Sequence, residues 1–350
     1  MRRTKQSIKK VGILERLGKG IVVGAEGYVF ELERRGHIKA GPFVPEVVLD
    51  YPQAVELLHR EFLRAGAEVM VALTYYAHRS KLRAVGRERE LEKLNRQAVR
   101  LAKKVAREGD VLVAGNICNT WLYDANNQKK TARLVKEMYR EQLGWAVDEG
   151  IDFVIAETHE YVGEALIALE AIKEYKLPAM ITFAATYEKS KEGIPWEKAC
   201  KILESYGADI VGFNCARGPN TMLPLLKKLR KEVSCFVAAQ PVPYRTSRKF
   251  PVYQLLRQKD GRRAFPIALE AYLHSREEMA VFAKEAKKLG INYIGICCGG
   301  APYYVRTIAE ALGRKVPSSK YSPDMSRHPM FGSKKVVRKQ ESIFLKHFQN

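Results

Sequence analysis

No apolar run in this 350-residue chain approaches the ~20 residues that a membrane-spanning helix requires, so a helical membrane protein is excluded. The first ten residues, MRRTKQSIKK, have neither an apolar core nor a small-residue cleavage site, and no secretory signal is expected there. Cysteine is scarce. Six in the whole chain, two of them adjacent, do not make the disulfide framework of a secreted protein. These absences read together as a cytoplasmic, reduced protein. The glycine-rich GxGxxG turn of a dinucleotide-binding sheet is also missing after the first predicted strand, which argues against an open doubly wound fold.

Acidic residues are few against basic ones, 39 to 60, for a formal net charge of +21. Such an excess can mark a nucleic-acid partner. Here lysine and arginine are spread along the whole chain, with denser groups at 2–10, 227–231, 245–249 and 334–339, none interleaved with aromatic residues. We read a basic surface that attracts anions without sequence preference, and expect no specific nucleic-acid partner and no membrane partner. A catalytically silent barrel that binds nucleic acid and uses a metal structurally is the competing reading, and only charge favours it.

Short apolar runs rich in β-branched residues occur at 21–24, 69–73, 111–114, 153–156, 179–183, 209–213, 235–239 and 293–297. Their length and composition suit strands buried on both faces of a parallel sheet. Amphipathic segments separate them at 51–65, 88–107, 135–148, 164–175, 196–206, 221–231 and 275–289, and another lies at 303–312. Four of these close on glycine, at Gly66, Gly150, Gly207 and Gly290, the expected helix stop. Eight alternations predict an α/β protein, a (β/α)8 barrel over residues 1–314. Residues 241–269, long and rich in proline and arginine, are expected to cross the barrel mouth. Residues 315–350 form a C-terminal extension, read as an arm packed on the body or gripping a partner subunit.

Barrel chemistry sits at the C-terminal strand ends. The residues at those ends are Ala25-Glu26-Gly27, Thr74-Tyr75-Tyr76, Gly115-Asn116, Glu157-Thr158-His159, Thr182-Phe183, Asn214-Cys215, Gln240 and Cys297-Cys298. Three cysteines, Cys215, Cys297 and Cys298, thus fall at one face. A catalytic zinc site uses three protein ligands and one open position, and two strand ends can deliver them. Packing, or a disulfide between the adjacent pair, is the alternative. Cys118 could reach the mouth, whereas Cys200 and Cys235 are placed elsewhere; all three read as small buried residues. Glu157 closes an otherwise apolar strand, where a carboxylate is costly without a partner, so it is a substrate-binding candidate or half of a structural ion pair. Glu26 is similar, though a turn carboxylate is easily solvated. Tyr75 and Tyr76 line a pocket or merely pack. His159 reads as a loop or supporting residue.

At this point the motifs resemble the zinc-dependent homocysteine S-methyltransferase family. The run from Tyr293 to Arg306, YIGICCGGAPYYVR, and the run VGFNC ending at Cys215 carry the resemblance. ERRGHIKAGP at 33–42 and LHREFLRAG at 58–66 are similar to the betaine-specific branch. The likeness runs from about residue 12 to 312 and implies a Zn2+ ion on Cys215, Cys297 and Cys298, methyl transfer to homocysteine sulfur, and a homo-oligomer. Three positions depart from the family pattern. Its first strand usually ends Asp-Gly-Gly, here Ala25-Glu26-Gly27. Tryptophan after Ala-Gly-Pro is Phe43, and tyrosine after the strand-four glutamate is Thr158.

The implied mechanism is direct in-line attack of a zinc-held thiolate on a methyl group carried by a positive nitrogen or sulfur. Zinc deprotonates the thiol, and three cysteine thiolates overcompensate the ion's charge, so the substrate sulfur stays electron-rich. No general acid is required, and no catalytic side chain beyond the metal ligands is expected. Phe43, Tyr75 and Tyr76 are expected to cage the onium donor, each ring contact contributing roughly 0.5–2 kcal/mol. Glu157 would hold the acceptor's ammonium group, with Glu26 and Gly27 beside it and Thr158 in the altered donor pocket. The expected donor is glycine betaine or a related betaine or sulfonium, with S-methylmethionine or dimethylsulfoniopropionate, or a different thiol acceptor, as the alternative.

Overall fold

The structure is a computed structural model that describes residues 10–328 and Lys346. Eight parallel strands close into a barrel in chain order, β1 to β8. They are Val22–Ala25, Val69–Val71, Leu112–Cys118, Phe153–His159, Ala179–Phe183, Ile210–Asn214, Phe236–Gln240 and Tyr293–Ile294. Closure is made by β1 pairing with β8, Val22 opposite Tyr293. Nearly every strand residue is buried, because side chains point either into the barrel or into the surrounding helices.

Eight major helices surround the barrel: Pro52–Ala65, Leu91–Ala106, Gln128–Glu149, Val162–Lys173, Trp196–Ser205, Pro219–Glu232, Arg276–Lys288 and Pro302–Ala311. The four predicted glycine stops are all left-handed, with φ between 73° and 100°. Two strands run further than the apolar pattern announces. β3 continues through Asn116 to Cys118 and β4 through Glu157 to His159, so polar residues lie within the sheet rather than in the adjoining loops. The helix Gln128–Glu149 likewise begins well before its apolar face does.

Four short helices, Ile13–Lys19, Tyr28–Arg34, Val47–Asp50 and Arg79–Ala84, were not expected from the pattern. The first has Arg16 hydrogen-bonded to the Asp110 carbonyl just before β3. Tyr28–Arg34 and Arg79–Ala84 come after β1 and β2 at the opposite end, where the site lies.

The 241–269 segment crosses that end. Tyr253 N–H donates to the Ala216 carbonyl at 2.9 Å and ties the segment to the loop after β6. The chain past residue 314 starts by lying on the barrel. Arg314 pairs with Glu68, a short 3-10 turn spans Pro317–Tyr321, and Ser322 bonds Glu310. Nearly all the rest of the C-terminal extension, with the basic group at 334–339 and all of that at 2–10 except Lys10, falls outside the described residues.

Candidate metal and substrate site

One cavity of about 340 Å³ opens at the C-terminal ends of the strands. Cys215, Cys297 and Cys298 lie in its wall, their three sulfurs all within 4.8 Å of one another. Cys215 Sγ and Cys298 Sγ are 3.6 Å apart. This is the one cluster of such donors among the described residues, and it could hold a metal ion. Backbone bonds from neighbouring strand ends set the spacing. Cys215 N–H donates to the Gln240 carbonyl and Cys297 N–H to the Pro241 carbonyl, each at 2.9 Å. Successive carbonyls at the end of β7 therefore anchor both cysteine loops. The Cys215 thiol is held well below its ordinary pKa, first by hydrogen bonding with Cys297 and then with Cys298, while those two are pushed up by sharing with Cys215. Thiolate is the form that binds a metal, so a cation bound here would displace the protons these sulfurs share.

Gly27 explains how β1 reaches this loop. Its φ is 87°, and a Cβ there would lie 2.8 Å from Gly300 Cα and 2.9 Å from the Cys297 carbonyl. Only glycine accepts both the left-handed backbone and the contact.

Two carboxyl groups share the cavity. Glu157 Oε1 accepts from Asn116 Nδ2 at 2.7 Å and Oε2 from Asn214 Nδ2 at 2.8 Å. Burial raises its pKa to about 7 against the hydrogen bonds that oppose it. Glu26 accepts from Gln240 and from Tyr293, the latter at 3.2 Å. Burial first, and then the Glu157 charge, push its pKa well up. No cationic side chain pairs with either among these contacts. Two buried carboxyls supported only by neutral donors can accept a positive group from a ligand. Thr158 is tied to the same network, its N–H donating to Asn214 Oδ1 at 2.9 Å and its Oγ1 accepting from Asn214 Nδ2 at 2.8 Å.

The remaining wall is aromatic. Phe43 stacks on Phe30 with centroids 5.1 Å apart and lies 6.3 Å from Phe265. Tyr253 meets Phe265 edge-on at 5.5 Å. Tyr75 and Tyr76 are 4.2 Å apart, and Trp121 Nε1 donates to the Tyr76 hydroxyl at 3.1 Å. Every site residue expected from the sequence thus lines this cavity: Glu26, Gly27, Phe43, Tyr75, Tyr76, Glu157, Thr158 and the three cysteines.

Several lining residues escaped the sequence reading. Phe30, Trp121, Tyr253 and Phe265 come from loops and short helices with no distinctive spacing. Lys81 comes from an unpredicted helix. Asn116 and Asn214 were visible as strand-end residues, but nothing in the chain says that they hold Glu157. Cys118 is buried with its sulfur accepting from Tyr76 N–H at 3.3 Å, outside the sulfur group. His159 is the last residue of β4 rather than a loop residue, fully buried against Tyr139.

Six non-glycine residues of the lining have left-handed backbones: Phe43, Tyr76, Trp121, Thr158, Cys215 and Ala216. Among the described non-glycine residues only Lys176 shares that conformation away from the cavity. Such conformations cost about 1–2 kcal/mol each and concentrate where a fold positions side chains for function.

A sequence model described as homocysteine S-methyltransferase matches residues 24–312. The chain belongs to the homocysteine S-methyltransferase family. It is 37% identical over 341 residues to betaine–homocysteine S-methyltransferase 1 from Mus musculus, covering 93% of this chain and 80% of that one. It is 37% identical over 338 residues to S-methylmethionine–homocysteine S-methyltransferase BHMT2 from Pongo abelii, covering 93% and 87%. The fold matches the metallated form of the homocysteine methyltransferase MmuM from Escherichia coli, with a TM-score of 0.66 and 19% identity over 83% of this chain and 96% of that one. The protein is accordingly an S-methyltransferase, and the cavity is where its chemistry is sought.

Proposed function

We propose that the protein transfers a methyl group from an onium donor, glycine betaine or a related betaine or sulfonium, to the thiol of homocysteine, giving methionine. The observation that carries this reading is the convergence of three sulfurs, two unpaired carboxyls and an aromatic wall on one cavity. The sulfur set fits zinc: thiolates are preferred zinc ligands, and three of them leave a fourth position for substrate. Cys215, Cys297 and Cys298 would hold the ion. When bound, zinc supplies a deprotonated, electron-rich substrate sulfur at neutral pH.

The rest is done by side chains. Glu157, held by Asn116 and Asn214, accepts the acceptor's ammonium group, and Glu26 stands ready beside it. Tyr75, Tyr76 and Phe43 present ring faces to the positive centre of the donor. Enclosure removes water from both reactants and fixes them in line, which supplies much of the rate. The onium leaves as a neutral amine or thioether, so no proton donor is needed. A relative named for betaine and another named for S-methylmethionine support an onium donor. The C-terminal extension is proposed to serve oligomerisation.

The test combines metal analysis of the reduced protein with a methionine assay across glycine betaine, dimethylsulfoniopropionate and S-methylmethionine. About one zinc per chain and methionine from at least one donor are expected. Cys297→Ser should lose both; full zinc retention in that variant would remove Cys297 from the ligand set.

A further inference from the structure

The cavity is electrically polarised in a way that the methyl-transfer chemistry does not use. Glu26 and Glu157 share the cavity with the sulfurs. Lys81, on the helix Arg79–Ala84, brings an ammonium group to the same wall. Its Nζ sits 4.3 Å from the Tyr76 ring centroid and 5.6 Å from that of Trp121. Lys191 also approaches Trp121, at 5.6 Å, but is neutralised by Glu160 at 2.5 Å. Lys81 has no carboxylate partner among the described residues, and burial acts to lower its pKa. An unpaired ammonium on the cavity wall calls for an anion.

On the proposed reading as an onium-dependent methyltransferase, we propose that Lys81 binds the carboxylate of the methyl donor and makes the site selective for zwitterionic onium compounds. The tyrosine pair takes the positive centre while Lys81 takes the negative one. A simple quaternary ammonium cation meets the Lys81 charge without an anion to offset it and is disfavoured. Lys81 is then a specificity-determining residue that recognises the end of the donor away from the transferred methyl.

The test uses the zinc-loaded protein, wild type against Lys81→Met and Lys81→Arg, with two readouts. In steady-state assays Lys81→Met should raise the KM for glycine betaine about 10- to 100-fold, the loss expected for a hydrogen bond between charged groups, and leave the homocysteine KM and the zinc content within twofold. Lys81→Arg should recover most of the loss. In calorimetry, glycine betaine should bind Lys81→Met more weakly by a similar factor, whereas tetramethylammonium, which lacks a carboxylate, should bind it no more weakly than wild type. An unchanged donor KM, or a rise confined to homocysteine, overturns the assignment, the second because Lys81 would then serve the acceptor's carboxylate. Absence of turnover with every donor defeats the proposed function instead; the calorimetric difference still decides the role of Lys81.

Discussion

Asn214 shows how much one side chain carries in this site. Its amide donates to Glu157 and Thr158 and accepts from Thr182 Oγ1 and Thr158 N–H, joining β4, β5 and β6 directly behind the Cys215 loop. A different kind of buried polar residue is His59, fully buried on the helix Pro52–Ala65 with Nδ1 3.0 Å from the Tyr28 hydroxyl. Burial lowers its pKa to about 3. Unfolded, it would titrate near 6.5. Between these values the unfolded chain binds the extra proton, so the contribution of His59 is intact above pH ~6.5 and is lost as pH falls toward 3. The stability difference between wild type and His59→Gln should therefore be larger at pH 7.5 than at pH 5, measured as urea midpoints. The comparison at each pH separates this group from Glu26 and Glu157, whose raised values act with the opposite sign. A pH-independent difference would show that His59 titrates normally.

At the scale of elements, the left-handed residues offer a control. Lys176 has φ 55° after the helix Val162–Lys173 and touches no part of the cavity. Glycine there relieves the strain that a Cβ imposes, so Lys176→Gly should raise stability by about 1 kcal/mol by denaturant titration, with methyl transfer unchanged. A loss of stability would mean that the lysine side chain outweighs its backbone strain.

Elements also explain what could be read in advance. The eight strands and their major helices are legible because burial on two faces demands apolar runs, and amphipathic helices demand a periodic stripe. The cysteines, Glu26 and Glu157 stand out because such residues at strand ends conflict with burial unless they bind something. The helices Tyr28–Arg34 and Arg79–Ala84 were missed because seven and six residues are too short to establish a period. With them went Phe30 and Lys81. Tyr253 and Phe265 were hidden for another reason: a long proline-rich crossing has no repeat from which to read the facing side chains. Tyr75 and Tyr76 were visible as strand-end residues that could line a pocket or merely pack, whereas Phe43 was reached through family resemblance, since an aromatic residue in a loop is otherwise uninformative.

For the whole molecule, the charge excess and the metal site have separate consequences. Much of the surface arginine is locally neutralised: Arg79 and Arg83 meet at Glu88, Arg96 and Arg100 at Glu149, and Arg140 pairs with Glu174. Exposed pairs of this kind contribute only about 0–1 kcal/mol each. An ion bound solely by the native state contributes more, by mass action. Stripping zinc with a chelator under reducing conditions should lower Tm by on the order of 5–10 °C, and added zinc should restore it. An unchanged melting curve would indicate that the cysteines hold no ion in the folded protein.

The anchoring of both cysteine loops on adjacent carbonyls at the end of β7 has a mechanical consequence. Because Gln240 and Pro241 accept from both loops through one short stretch of backbone, any displacement at the end of β7 is transmitted to Cys215 and Cys297 alike. A one-residue slip of β7 would shift both acceptors together, so the two halves of the sulfur cluster stand or fall on the register of a single strand.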